Sequence, residues 1–161
     1  PLLSEDEIEN LCIARGTLTP QERETINYHI VATIKMLESL PYPKHLSRVP
    51  EFAGGHHERM DGNGYPRGLK REQMSVQARV MGIADIFEAL SAVDRPYKKA
   101  KPVSECLAIL GKMVENNHLD ADIFAVFVES EVYKHYINEY AIAEQLDFVD
   151  LTTLPGYSPI K

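Results

Sequence analysis

Cysteine is scarce in this chain. Only Cys12 and Cys106 occur among 161 residues. They lie in separate segments, which argues against the disulfide scaffold of a small secreted domain. Both read as reduced, buried, small apolar side chains, which suits the cytoplasm. Long apolar runs are missing too: none approaches the roughly 20 residues of a membrane span. No signal peptide, low-complexity tract or internal repeat is visible. Positive charge is in deficit, with 17 Lys and Arg against 24 Asp and Glu and a formal net charge of -7. That balance disfavours broad nucleic-acid binding, but it permits a small anionic ligand in a local cationic pocket. The chain opens on Pro1, not Met, so it is expected to be part of a longer protein. Its length suffices for one domain with a sizeable core.

Residues 56–66, His-His-Glu-Arg-Met-Asp-Gly-Asn-Gly-Tyr-Pro, organise what is there. Asp-Gly and Asn-Gly are strong turn formers, because their side chains bond nearby backbone and Gly accepts positive φ. Tyr65 precedes proline and is pushed towards an extended conformation. Ionisable groups therefore stand where a predicted helix gives way to a surface loop, and loops held by a scaffold often carry function. On a helix, adjacent side chains point about 100° apart. One ion would not easily take both His56 and His57 from one rigid helix, whereas two neighbouring ions take one each. The pair alone equally fits two surface histidines.

Helical periodicity dominates the rest. Thr19-Pro20-Gln21-Glu22 predicts a helix start, with threonine as N-cap, proline at N1 and a capping-box glutamate. The helix should run to about Leu40 and bury Ile26, Ile30, Ile34 and Leu37, with His29 nearly in line. Pro41-Tyr42-Pro43 ends it. Ser47 is the expected cap of a helix through Val49, Phe52 and Ala53 to the histidines. Gly54-Gly55 would be costly in an exposed helix interior and points to close backbone packing or to bending.

Ser75 should start a helix burying Val76, Val80, Ile83, Phe87 and Leu90. Asp85 falls within it, and a buried carboxylate there needs a partner. Val103 to Asn116 reads as a further helix, and Asp120 to about Tyr140 as one or two more with Ile123, Phe124, Phe127 and Val128 in the core. Residues 1–150 form the expected domain, and 151–161 an irregular tail. His45, His118 and His135 read as structural or solvated. The basic turn Asp94-Arg95-Pro96-Tyr97-Lys98-Lys99 becomes attractive for phosphate only if a metal site faces it.

Taken together, His56-His57-Glu58, Asp61-Gly62, Gly64-Tyr65-Pro66 and Asp94-Arg95-Pro96-Tyr97 resemble the HD-GYP domain, a helical branch of the HD phosphohydrolases, over roughly residues 18–128. The resemblance implies an all-α, HD-domain-like helical bundle with two or three divalent metal ions. His29, His56, His57 and Asp85 match its metal ligands. Gly64 and Tyr65 match the loop beside the substrate, and Arg95 and Lys98 match cations near a substrate phosphate. Imidazole and carboxylate ligands favour Fe or Mn. The implied activity is hydrolysis of a cyclic dinucleotide, cyclic di-GMP first and hybrid cyclic GMP-AMP second, by metal-bound hydroxide in a bacterial signalling protein. The His-Asp doublet that names the family, and the lysine after it, are absent. Counting back from Leu18-Thr19 puts the doublet at or just before Pro1, and Glu5, Asp6, Glu7 and Glu9 do not match it in spacing. The alternative is a catalytically impaired signalling or protein-interaction module, for which the resemblance suggests GGDEF-domain partners.

Overall fold

Local capping chemistry sets helix starts at Ser4, Thr19, Ser75 and Asp120. A computed structural model describes residues 2–13, 18–93 and 101–160, and among them the regular structure is helical. Helix α1 (Glu5–Leu11) is capped by Ser4 and α2 (Pro20–Glu38) by Thr19. In both, the cap hydroxyl accepts from the N3 amide while the N3 glutamate accepts from the cap amide, so orphan donors at the helix start are satisfied reciprocally. Then follow α3 (Val49–Gly54), α4 (Val76–Ser91), α5 (Val103–Glu115), α6 (Ala121–Glu129) and α7 (Val132–Tyr140), with short 3-10 turns between and after them. The only sheet-like pairing among the described residues is an isolated bridge between Asp61 and Lys70. None of the described helices is long and apolar enough to cross a membrane.

The main core lies among α4–α7. Ile83 and Phe87 of α4 meet Cys106, Leu107 and Leu110 of α5, Phe124 and Val128 of α6, and Tyr133 and Ile137 of α7. Leu154 and Tyr157, from the C-terminal segment, pack onto this cluster. Pro155 passes so close to α5 that a Cβ on Gly111 would meet its carbonyl oxygen at 2.0 Å. Helix α3 packs against both α2 and α4. Glycine permits that packing: a Cβ on Gly54 would lie 2.9 Å from the Ile34 side chain, and one on Gly55 would lie 2.7 Å from Ala78 Cβ. The Gly54-Gly55 pair thus serves close approach to α2 and α4.

Several expectations change. Ser47 does not cap α3: its hydroxyl donates to the Lys44 carbonyl in a preceding 3-10 turn, and Arg48 takes the cap position. Ile26 is 51% exposed and Val76 54%. Val80, also expected inside, is 46% exposed: helical spacing predicted burial at these positions, but the face of α4 that meets its neighbours runs through the small residues Ala78, Gly82 and Ser91 with Ile83 and Phe87. Cys106 is buried as expected, whereas Cys12 is exposed because it follows a short terminal helix. Arg95 and Lys98 lie outside the described residues.

Candidate metal centre

The site forms where α2, α3 and α4 meet. His29 projects from the middle of α2, one residue before buried Ile30. His56 and His57 lie just beyond the end of α3, in the turn that follows Gly55. The expectation of two rings on a rigid helix therefore gives way to a turn, which holds their centroids 4.3 Å apart. This removes the argument that adjacent helical histidines must serve different ions. One ring nitrogen from each of His29, His56 and His57 comes within 4.8 Å of the others.

Two backbone contacts orient these rings. His29 Nδ1 is 2.6 Å from the Ile26 carbonyl oxygen, and His56 Nδ1 is 2.5 Å from that of Ala53. A carbonyl only accepts, so Nδ1 carries the proton in both rings and Nε2 keeps its lone pair in the neutral form. Such outer contacts fix tautomer and orientation in histidine metal ligands. His29 Nε2 and His57 Nε2 are 3.2 Å apart. Two imidazoles bound at about 2.0–2.1 Å to one ion, at angles between square and tetrahedral, would place their nitrogens roughly 2.9–3.4 Å apart. The histidine spacing fits a divalent ion without rearrangement of this pair.

Electrostatics favour the ligating form of His57. Burial holds its pKa below the ordinary histidine value, reinforced by His56 and His29 and partly opposed by Asp85. Asp85 stands exposed on α4, outside the three-histidine group. Its orientation follows from helix geometry. Ala78, Gly82 and Asp85 share a face at i, i+4 and i+7: Ala78 meets Gly55, Gly82 comes so near that a Cβ would be 3.2 Å from the His56 carbonyl oxygen, and Asp85 acts electrostatically on His57.

Tyr65 covers the other side. Its ring stacks on His57 with centroids 4.9 Å apart and planes inclined by 15°, and its amide donates to the His57 carbonyl at 3.3 Å. Burial, then the charge of Asp85, raises the Tyr65 pKa, so the phenol remains a neutral donor. Gly64 is required by packing: a Cβ would lie 2.4 Å from the Arg59 amide nitrogen and 2.5 Å from Glu58 Cα. The loop beyond is internally braced. Asp61 accepts from Arg59 Nε at 3.1 Å, from Arg59 Nη2 at 2.7 Å and from the Asn63 amide at 2.8 Å. The Tyr65–Pro66 peptide is cis. An open groove of about 810 Å³ begins at Tyr65 and Pro66 and follows α2 past Tyr28, Asn27 and Arg23.

Two buried carboxylates escaped the sequence reading. Glu58 is 3% exposed and accepts the amides of Arg67 and Leu69, both at 2.8 Å. Asp120 caps α6 while pairing with Arg71 at 2.7 Å and with Arg79. The directly legible signal for Asp120 was its N-cap position; its partners are distant in sequence. His118 is half-buried, and its carbonyl accepts the Met60 amide at 3.3 Å, tying the loop to the α5–α6 connection.

Residues 6–123 match the HD domain family. The chain is 42% identical over 112 residues to 3'3'-cGAMP-specific phosphodiesterase 3 of Vibrio cholerae, covering 68% of this chain and 23% of that protein. A cyclic di-GMP phosphodiesterase of Thermotoga maritima is 31% identical over 135 residues, or 81% of this chain and 36% of its own length. A cyclic di-GMP phosphodiesterase of Pseudomonas aeruginosa is 41% identical over 115 residues, or 71% and 27% respectively. The chain therefore spans between about a quarter and a third of these relatives. With its helical fold and three-histidine cluster, the chain belongs to the HD domain family and is homologous within it to the HD-GYP-type cyclic-dinucleotide phosphodiesterases.

Proposed function

We propose that this chain forms a metal-dependent site for a cyclic dinucleotide, and that hydrolysis requires ligands beyond its three gathered histidines. The observation that carries the reading is the convergence of His29, His56 and His57 beneath Tyr65. Three imidazoles beside Asp85 suit a divalent ion, with Fe or Mn favoured by the mixed nitrogen and oxygen set. A bound divalent ion supplies Lewis acidity and lowers the pKa of coordinated water, and a second ion extends this to the leaving group. A complete two-ion set needs more donors than these four residues offer. Acting alone, the chain is thus a catalytically impaired HD-GYP-like module that binds metal and ligand. In a longer protein supplying further donors, it is part of a hydrolase.

The protein's own groups divide the work. His29, His56 and His57 hold metal, and Asp85 adds negative charge beside them. Tyr65 presents a neutral phenol and one wall of the groove. Arg95 and Lys98 grip non-bridging phosphate oxygens, as permanent or readily retained cations do. Cyclic di-GMP is the first ligand to test because two of the relatives above carry its name. The 3'3'-cGAMP relative makes the hybrid dinucleotide the second. For the impaired module, a GGDEF-domain signalling protein is the proposed partner.

The test compares this chain with the full-length protein for metal content, cyclic-dinucleotide affinity and turnover. Binding by both and turnover only by the longer protein supports the enzyme reading. Binding by both without turnover supports the module. Failure of the metal-loaded proteins to bind either dinucleotide contradicts the proposal.

A further inference from the structure

We infer that Glu58 is a positioning residue that sets Tyr65 over His57 by gripping the backbone beyond it; the inference rests on the cyclic-dinucleotide reading of this site. The Glu58 carboxylate is buried, and its two oxygens divide their work: Oε1 accepts the Arg67 amide and Oε2 the Leu69 amide, each at 2.8 Å. No cation pairs with it among the described residues; the Arg67 guanidinium turns away to Glu38, 3.6 Å distant. A buried carboxylate held by main-chain donors alone is a costly way to fasten an ordinary loop. What it provides is a pair of strong acceptors for amides two residues apart. Glutamine offers one acceptor oxygen and one donor nitrogen, so it would satisfy one amide and confront the other.

The geometry links this grip to the metal centre. Tyr65 is fixed on one side by the hydrogen bond its amide donates to the His57 carbonyl and on the other by the Glu58 contacts at Arg67 and Leu69. Between them, Gly64 lies directly against the backbone of Glu58 and Arg59. The dipeptide His57-Glu58 thus carries a metal ligand on one residue and, on the next, the clamp for the ring stacked on that ligand. Releasing the clamp frees Tyr65 from His57 and moves the wall of the groove. It leaves untouched the hydrogen bonds that His29 and His56 donate to the Ile26 and Ala53 carbonyls and that orient both rings.

The test uses the metal-loaded full-length protein with Glu58→Gln and Glu58→Ala, each also combined with Tyr65→Ala. Deuterium uptake in peptides covering residues 64–70 should quicken about tenfold or more in Glu58→Gln, the effect of losing one charge-assisted bond. Metal content should match that of the unmutated protein. For cyclic di-GMP, kcat/KM should fall about tenfold with Tyr65 present, yet change less than about twofold once Tyr65 is alanine, because the effect travels through that ring. Losses that simply add, or unchanged exchange, overturn the role. Should Glu58→Ala fail to fold, the isosteric Glu58→Gln carries the test. If the unmutated protein binds a cyclic dinucleotide without turning it over, the module form of the functional reading holds, and if it binds neither, that reading fails; in both cases exchange decides, quickened uptake supporting the clamp and unchanged uptake overturning it.

Discussion

Asp120 and Arg79 form an ion pair that joins the start of α6 to α4. Arg71 binds the same carboxylate oxygen from the 3-10 turn before α4. The Asp120 side chain is 0% exposed, against 13% for Arg79 and 43% for Arg71. Three segments are thus tied through one buried carboxylate, which also accepts the Asp122 and Ile123 amides as N-cap.

Asp120→Asn should lower stability by about 1–3 kcal/mol, less than for a fully buried pair because Arg71 retains access to water. Asp120→Ala should cost roughly 1 kcal/mol more through the lost cap. Chemical denaturation of the three proteins at neutral pH checks both values.

The same group predicts a pH dependence. Burial pushes the Asp120 pKa up, but hydrogen bonds from Arg71, Arg79 and Ile123 and the charge of Arg71 outweigh it, leaving the folded value below the ordinary one. A depressed carboxylate pKa stabilises the fold above the unfolded value of about 3.9, and that contribution is lost as pH falls through the folded value. The stability gap between the unmutated protein and Asp120→Asn should therefore hold at neutral pH and close as pH drops below about 4. Denaturation midpoints measured across that range test the sign; a gap that widens on acidification contradicts it.

Gly64→Ala should disrupt the loop, because the new Cβ would meet backbone at Glu58 and Arg59. The expected cost is about 1–3 kcal/mol or more, since main chain cannot move aside as a flexible side chain can. Gly82→Ala faces only the 3.2 Å contact with the His56 carbonyl oxygen and should cost less. Thermal unfolding of the pair checks the order.

Arg95→Ala should weaken cyclic-dinucleotide binding about tenfold to a hundredfold, the value of one charge-assisted phosphate contact, while metal content stays unchanged. Calorimetric titration with equal metal loading measures it. Unaltered affinity would make the basic turn a solvated one.

Legibility in the sequence followed the range of the interaction. The capping boxes at Thr19 and Ser75's role as N-cap involve partners three residues away, so they could be read directly. Helical periodicity found α2 and α4, but spacing does not say which face a neighbour covers, and Ile26, Val76 and Val80 stayed exposed. The histidine pair was conspicuous, yet the exit from α3 that brings both rings to His29 depends on α2 and α4 meeting Gly54 and Gly55. Glu58 was quoted in the motif and Asp120 at a helix start, but their structural roles stayed hidden because their partners are set by folding: Leu69 lies eleven residues from Glu58, and Arg71 forty-nine from Asp120.

Three histidines from two segments, His29 on α2 and His56 and His57 after α3, form the proposed metal-holding group. The direct measurement is metal content by mass spectrometry after loading with Mn²⁺, comparing the unmutated chain with His29→Ala, His56→Ala and His57→Ala. Bound metal is expected in the unmutated chain and loss in each folded variant, with affinity reduced by more than about a hundredfold, since removing a ligand should exceed the roughly ten- to hundredfold cost of losing an outer-shell partner. Three folded variants that retain the metal content of the unmutated chain would contradict the proposal.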